Sequence, residues 1–585
     1  MVKGDGVSEP PSFLGPFCLE PSSSIFNRQS LFVNSQSSLS PHKGEGKGEG
    51  GRAFRIGQWL LVLLNTLLLI PHIAEAIDRT NPSLSNWGGF AINRDWTYDA
   101  IEKLVLSGLA GPTVLNTKPM SRLEMARVIE GTINRINEDE RGIYNNLKDM
   151  EGVLEELIKE FQPELASLGV EPALGLGPPQ PFYFFKPLDK MRMRIGYSED
   201  DTALDNSQGE SLGEGINAGI GLRSRAQIGD SFSFFVQPEG RLREGESMGR
   251  LVVGYAKLTL ANVELEVGRD SLWWGPGYHG SFMLTNNSLP LYMVKISAAE
   301  PFIPPWIFKY LGPTKIDFFV ARLEARRDYP HAMLSGLRVD FVPSRYVEIG
   351  ASRMLQFGGK GRGLKGVDYL EAFFREDQGT GNRFDNNNLA SIDMTIRVPG
   401  VGRYFPLARD LEVYGEIGGE EIEPDGLWPF RRAFFESIPQ FLKFKGHLVG
   451  LFLTNFFGVD GMDMRLEYAQ NGPEWYRHGV YGSGYKYKGT VMGHHMDRDA
   501  QDLYGRLTYR LDRDTLVGVE LDREKRQGGA ADEEKRQLGL DLSYRYSKGL
   551  AIFAAYRLER VENVGFIQGK DDTNHLLRLE ATYSF

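Results

Sequence analysis

The sequence predicts an all-β transmembrane barrel of about 18 antiparallel strands with a small N-terminal α-helical domain on its periplasmic side. Three observations carry that expectation. From about Leu188 onward apolar and polar residues alternate with a period of two, as Met191, Met193, Ile195 and Tyr197 do with Arg192, Arg194 and Gly196. One face of each segment is therefore oily and the other ionic. The last segment, with Leu577, Leu579, Ala581 and Tyr583 on one face, stops on Phe585. An edge strand ending on an exposed aromatic invites pairing with other chains, whereas a closed barrel has no edge. Connections between segments also alternate in length, which separates a short-turn end from a long-loop end.

Composition agrees. The 585 residues carry a net charge of −10, 41% hydrophobic residues and 68 glycines. After the presequence no apolar run reaches the roughly 20 residues of a membrane helix. Mild acidity argues against a nucleic-acid partner, and the single cysteine, Cys18, lies before the export signal, so the mature chain forms no internal disulfide.

In chain order, residues 1–51 are rich in Ser, Gly, Pro and Lys and read as a disordered or mis-started extension. Residues 52–76 read as a signal peptide, with Arg52 and Arg55, an apolar core from Trp59 to Ile70 and an Ala74-Glu75-Ala76 cleavage site. Residues 77–165 form the helical domain. Asp95 or Thr97 caps a first helix carrying Ile101, Leu104 and Val105, and Ser121 with Glu124 makes a capping box for a second. Leu147 to Phe161 make a third helix stopped by Pro163, and 166–187 is a Pro/Gly linker before the barrel, 188–585. Short connections fall at Ala261, Pro343-Ser344, Asp512 to Asp514 and Ser547 to Gly549. Two longer ones on the same side, Ala299 to Thr314 and Pro399 to Arg409, are expected to cover or dock the helical domain.

The sharpest local stretch runs from Val267 to Gly280, leaving a strand at Gly268 and entering a long loop with adjacent Trp273 and Trp274 and a Gly275-Pro276-Gly277 turn. Flat aromatic faces flanked by Arg, Asp, Asn and His suit a sugar, whose C–H bonds stack on rings while its hydroxyls hydrogen-bond. The same loop could instead fold into the barrel and constrict its lumen. With Asn286, Asn287 and Pro290, this stretch resembles the outer-membrane capsule-assembly family named Wzi. The resemblance implies a barrel with periplasmic helices that holds capsular polysaccharide. Carried over by position, it implies polysaccharide contacts by Arg269, Asp270, Trp273, Trp274, Tyr278 and His279.

Within the helical domain, Asp95-Trp96, Lys118-Pro119 and Ser121 to Ala126 partly resemble a single S-layer-homology motif. That would imply a tether to peptidoglycan, although Ser121-Arg122-Leu123-Glu124 stands where the family has Thr-Arg-Ala-Glu. The lumen face supplies mixed charges, among them Arg338, Asp340, Arg397, Arg465, Glu467, Arg506, Asp522, Arg578 and Glu580. These either clamp an anionic polymer or pair across strands to fill the interior. His494-His495 with Asp497 and Asp499 has metal-ligand residue types, but a single long loop is a poor rigid support. No catalytic set, cofactor or metal is expected. The aromatic run Trp475, Tyr476, Tyr481, Tyr485 and Tyr487 suggests carbohydrate or interfacial contact. The expectation is a non-enzymatic outer-membrane protein that contacts lipid and binds capsular or extracellular polysaccharide. The alternative is a peptidoglycan-tethered porin for small solutes.

Overall fold

The computed structural model describes residues 77–85, 94–138, 148–170, 182–243, 246–363, 386–420, 446–547 and 549–585. The expected extension 1–51 and signal peptide 52–76 lie outside the described residues, as does the middle of the linker, 171–181.

Eighteen antiparallel strands close into one barrel. The first six are β1 (Tyr183–Ser198), β2 (Gly215–Ile228), β3 (Phe232–Arg243), β4 (Glu246–Leu260), β5 (Val263–Asp270) and β6 (Leu291–Ala298). Then come β7 (Thr314–Arg322), β8 (Met333–Ser344), β9 (Val347–Phe357), β10 (Asn387–Val398), β11 (Asp410–Glu420) and β12 (Gly446–Thr454). The last are β13 (Met462–Asn471), β14 (Ala500–Arg510), β15 (Thr515–Arg526), β16 (Glu533–Arg545), β17 (Leu550–Glu562) and β18 (Asp572–Ser584). Closure is made by β18 against β1, with Leu579 opposite Ile195 and Tyr583 opposite Met191. The Phe585 amide donates to the Asp189 carbonyl at 3.0 Å, so the final residue is built into the seam. Met193, Ile195, Tyr197, Leu577, Leu579 and Tyr583 face outward and are exposed, while Arg192, Glu580 and Thr582 between them are buried. This is the apolar-out, polar-in pattern of a barrel in lipid. Among the described residues no helix is long and apolar enough to cross a membrane.

β1 starts at Tyr183, inside the expected linker. Its first residues pair with β2, and a register shift between Lys186 and Lys190 lets the strand continue past Pro187, whose missing N–H a bulge tolerates. The short turn after β8 falls at Arg345-Tyr346, just beyond the expected Pro343-Ser344.

The helices are α1 (Trp96–Leu106), α2 (Arg122–Asn137), α3 (Lys148–Glu160) and α4 (Gln162–Ser167). Asp95 caps α1 by accepting from the Thr97 amide, and Ser121 and Glu124 form the expected capping box on α2. Pro163 occupies the first turn of α4, where its missing N–H costs no hydrogen bond, so it starts a helix here as well as following one. Ile101, Leu104, Ile129, Leu157, Phe161 and Leu165 are among the side chains of a shared core.

The bundle sits at the short-turn end of the barrel, fastened by ions. Glu102 binds Arg465 at 2.7 Å, Glu124 binds Lys315 at 2.5 Å, Glu155 binds Arg513 at 2.6 Å and Glu156 binds Arg545 at 2.9 Å. The long connection after β6 docks on the N-terminal region through Glu300, which pairs with Arg79 and Arg127. It also forms a 3₁₀ helix, Trp306–Leu311, whose Trp306, Ile307, Phe308 and Tyr310 are exposed. Trp306, Phe308 and Tyr310 join Tyr404, Phe405 and Phe457 in an aromatic rim at this end, as an interfacial girdle requires.

Candidate functional site in the barrel lumen

The two long loops 271–290 and 472–499 turn into the barrel and pack on each other. Leu272, Trp274, Phe282 and Met283 of the first meet Trp475, Tyr476, Tyr481, Tyr485, Tyr487 and Met492 of the second. Wall residues Phe319, Leu334, Met354, Leu389 and Leu448 complete this cluster. It is a hydrophobic core inside the barrel. The tyrosine-rich run expected to meet carbohydrate is thus interior packing: its five aromatic side chains are buried, with Tyr485 Oη donating to the Met283 carbonyl at 2.9 Å.

Inward carboxylates from the wall hold the first loop by its backbone. The amides of Tyr278, His279 and Gly280 donate to Glu467 at 2.7, 3.1 and 2.9 Å, and Tyr414 Oη adds a fourth bond at 2.8 Å. Glu416 accepts from Ser281 Oγ at 2.8 Å and from the Phe282 amide at 3.0 Å. From the other side Thr117 and Lys118, just before α2, pair as a short ribbon with Trp274 and Trp273. The ribbon and α1 to α4 close the short-turn end beneath the loop.

The six residues of the Arg269 to His279 stretch are dispersed by this arrangement. Arg269 lies on the outer face of β5, its guanidinium 5.2 Å from the ring of exposed Tyr292 and its Nε donating to the Pro290 carbonyl at 3.0 Å. Asp270 points inward and accepts from Asn81 Nδ2 at 3.0 Å. Trp273 belongs to the helical core and Trp274 to the loop core, edge-on to Phe319 at 5.3 Å. Tyr278 is sandwiched between the guanidiniums of Arg94 and Arg465, at 4.7 and 4.3 Å from its ring centroid. His279 stacks on Tyr504 at 3.8 Å. Trp274 is 0% exposed, so neither indole face is open to a sugar ring. Of the two placements open to this loop, the one that folds into the barrel is observed: adjacent indoles are buried most completely by turning inward.

Much of the charged lumen face is consumed in pairs. Arg338 binds Asp340 at 2.6 Å and Asp393 at 2.7 Å, Arg397 binds Glu348 at 2.6 Å and Glu412 at 2.9 Å, and Arg506 binds Asp541 at 2.8 Å. One region differs. Toward the long-loop ends of β1 to β4 and β18 lies a cavity of about 200 Å³ lined by Arg194, Arg241, Arg243, Arg250 and Arg578 against Glu210 and Glu580. Glu210 binds Arg194 at 2.6 Å. Burial pushes its carboxyl up, but Arg194, Arg241 and Arg578 pull it further down, to about 2, so it is ionised. Glu239 behind the wall pairs with Arg194, with Arg241 at 3.2 Å and with Arg250 at 3.1 Å, Asp201 pairs with Arg243, and Glu580 binds Arg578 at 2.6 Å. Five lining guanidiniums thus meet four carboxylates, which leaves the wall a small positive excess. Arg241, Arg243 and Arg250 were not singled out from sequence; a period-two Arg pair closing β3, answered by an Arg opening β4, is the signal that could have found them.

Comparison with known proteins follows this geometry. The family model described as capsule assembly protein Wzi matches residues 190–576. The chain belongs to the Wzi capsule-assembly family. An uncharacterized 55.8 kDa protein in the cps region of Klebsiella pneumoniae is 30% identical over 187 residues, 32% of this chain and 35% of that protein. The chain is similar in fold to the solved structure of Wzi, an outer-membrane protein involved in group 1 capsule assembly in Escherichia coli and a carbohydrate-binding β-barrel. That match has a TM-score of 0.62 and 19% identity, over 88% of this chain and 100% of that one. OccD3 (OpdP) of Pseudomonas aeruginosa matches with a TM-score of 0.40 and 13% identity over 68% of this chain and 91% of that one.

The family match begins after the helices. The residues behind the S-layer resemblance serve the bundle itself: Leu123 is buried, Ser121 and Glu124 cap α2, and Arg122 binds Glu164 at 2.5 Å and Glu160 at 2.7 Å. His494 and His495 also turn inward, away from Asp497, which pairs with Lys486 at 2.7 Å, and toward Asp502 on β14. Burial pushes His495 down to about 4, so its imidazole is neutral at pH 7.

Proposed function

We propose that this protein is a non-catalytic outer-membrane holder of an acidic capsular or extracellular polysaccharide. The short turns and helical bundle face the periplasm, the long loops face the exterior, and the apolar outer wall contacts lipid. The observation that carries the reading is the arginine-lined cavity near the long-loop ends of a barrel from a capsule-assembly family. Guanidiniums bind the carboxylates of uronate-type sugars in bidentate fashion, and such groups recur along a polymer. Weak contacts at each repeat then add up by multivalency, with no covalent step.

The Trp273-Trp274 loop enters as support. The Gln208 and Gly209 amides donate to the carbonyls of Asn286 and Asn287, so the segment carrying Glu210 rests on the inward-folded loop. A tether to peptidoglycan draws no support from the bundle, whose S-layer-like residues are spent on internal pairs. The test is a strain carrying Arg241→Glu with Arg250→Glu, in which cell-bound and shed acidic polysaccharide are weighed. The expected result is polymer moving from cells to medium at constant total; an unchanged split would remove the cavity from the reading.

A further inference from the structure

The inward turn of both long loops brings together four side chains that the polysaccharide reading does not use. His279 comes from loop 271–290, His495 from loop 472–499, Asp502 from β14 and Asp522 from β15. All four are more than nine-tenths buried. One ligand atom from each lies within 4.8 Å of the other three. His495 Nε2 is 3.3 Å from Asp502 Oδ2, and His279 Nε2 is 3.6 Å from Asp522 Oδ2 and 3.8 Å from Asp502 Oδ2. These spacings are close to the edge of a tetrahedron, ~3.3 Å, whose centre holds a zinc ion with bonds of about 2.0–2.1 Å.

Several polar atoms at this centre meet only one another. His279 Nε2, His495 Nε2, Asp502 Oδ1 and both carboxylate oxygens of Asp522 are buried without a hydrogen-bond partner. Two buried carboxylates side by side repel unless a cation or a shared proton lies between them. Lys535, a cation in this part of the lumen, is engaged with Asp205 at 3.2 Å and Glu524 at 3.1 Å. Both imidazoles are stacked on neighbouring rings, His495 on His494 at 4.6 Å. His279 is stacked on Tyr504, and the His279 amide is held by Glu467. Imidazole nitrogens select against calcium and magnesium, which favour all-oxygen shells, and two nitrogens with two carboxylate oxygens suit zinc or a neighbouring transition metal.

We propose that His279, His495, Asp502 and Asp522 bind one divalent transition-metal ion, with zinc the fitting choice, which fastens both inward-folded loops to β14 and β15. The ion would be structural, since all four positions are protein ligands drawn from two loops and two wall strands. Its effect is to tie the long-loop side of the plug to the barrel, as the helices tie the short-turn side.

The experiment uses the untagged full chain purified in detergent, stripped with EDTA, reloaded with zinc chloride alone and passed through a desalting column. Metal is counted by inductively coupled plasma mass spectrometry, and limited chymotrypsin digestion follows cleavage at the aromatic residues within 271–290 and 472–499. About one zinc per chain is expected, with slower cleavage of both loops than in the stripped protein. Asp502→Asn and His495→Gln should each lower zinc affinity by more than the ~10–100-fold that loss of an outer-shell partner produces. Heat-modifiable electrophoretic migration reports whether each variant retains the closed barrel. Absence of stoichiometric zinc in the unmodified protein, equal zinc retention in both folded variants, or loop cleavage indifferent to zinc would overturn the site. Should a variant not fold, the zinc count and loop protection of the unmodified protein decide the matter.

Discussion

Replacing Glu467 by Leu should release loop 271–290 from the lumen while the barrel stays closed. In the native structure this one carboxylate receives four donors, the amides of Tyr278, His279 and Gly280 and the Tyr414 hydroxyl, all buried. Each buried donor left unsatisfied costs about 1–3 kcal/mol. The hydroxyl can rotate toward another acceptor, so the three amides set a floor of about 3 kcal/mol against the docked loop. The strand ladder is separate from these bonds, so the penalty falls on loop docking. At 1.4 kcal/mol per decade, about 3 kcal/mol populates the undocked loop roughly a hundredfold more. Amide hydrogen exchange read by mass spectrometry should therefore quicken by about 10²-fold or more over residues 278–282, with β1 to β18 unchanged. Exchange in 278–282 indistinguishable from the unmodified protein would refute the carboxylate's role in holding the loop.

Trp274→Ala should destabilise the loop core by about 3–5 kcal/mol, as large-to-small changes at fully buried aromatic sites do. Urea unfolding followed by tryptophan fluorescence measures this, and an unchanged midpoint would contradict the interior packing. Acid should loosen the helical bundle. Burial raises Glu160, but Lys190 and Arg122 pull it down to about 2, below its ordinary value of 4.5, and Arg465 and Arg94 likewise hold Glu102 low against burial. Because folded values are depressed, the stabilisation is present above pH 4.5 and is lost as pH falls toward 2. The thermal transition of the helical circular-dichroism band should drop across that window, and a pH-independent transition would remove these ion pairs from the docking. In planar bilayers the protein should show no steady open channel, whereas constant conductance would contradict a filled lumen.

The barrel was legible because each strand carries its own two-residue signal: Met191 to Tyr197 face lipid whatever the rest of the chain does. The caps at Asp95 and Ser121 were legible for the same reason, since a cap is written within four residues. The start of β1 was masked by Pro187, which reads as linker until the bulge beside it is seen. The direction of the long loops was not local. Trp273-Trp274 and the tyrosines of 472–499 are equally apolar as a sugar platform or as a core, and the choice is made by Met293, Phe319, Leu334 and Met354, inward residues on separate strands. Arg269 and Asp270 show the opposite case, because neighbours on a strand must face opposite sides and cannot form one site. The four-ligand cluster lay beyond reach, as His495 points away from its sequence neighbour Asp497 and toward strands that only barrel closure brings near.

The central claim, that this barrel grips an acidic polymer through its arginine-lined cavity, is tested most directly by titrating purified uronate-containing capsular polysaccharide into the detergent-solubilised protein in a calorimeter at low and high salt. The account predicts saturable binding that weakens as salt rises and is lost in Arg241→Glu/Arg250→Glu. Heat no greater than that of a neutral dextran, or binding untouched by the charge reversal, would contradict it.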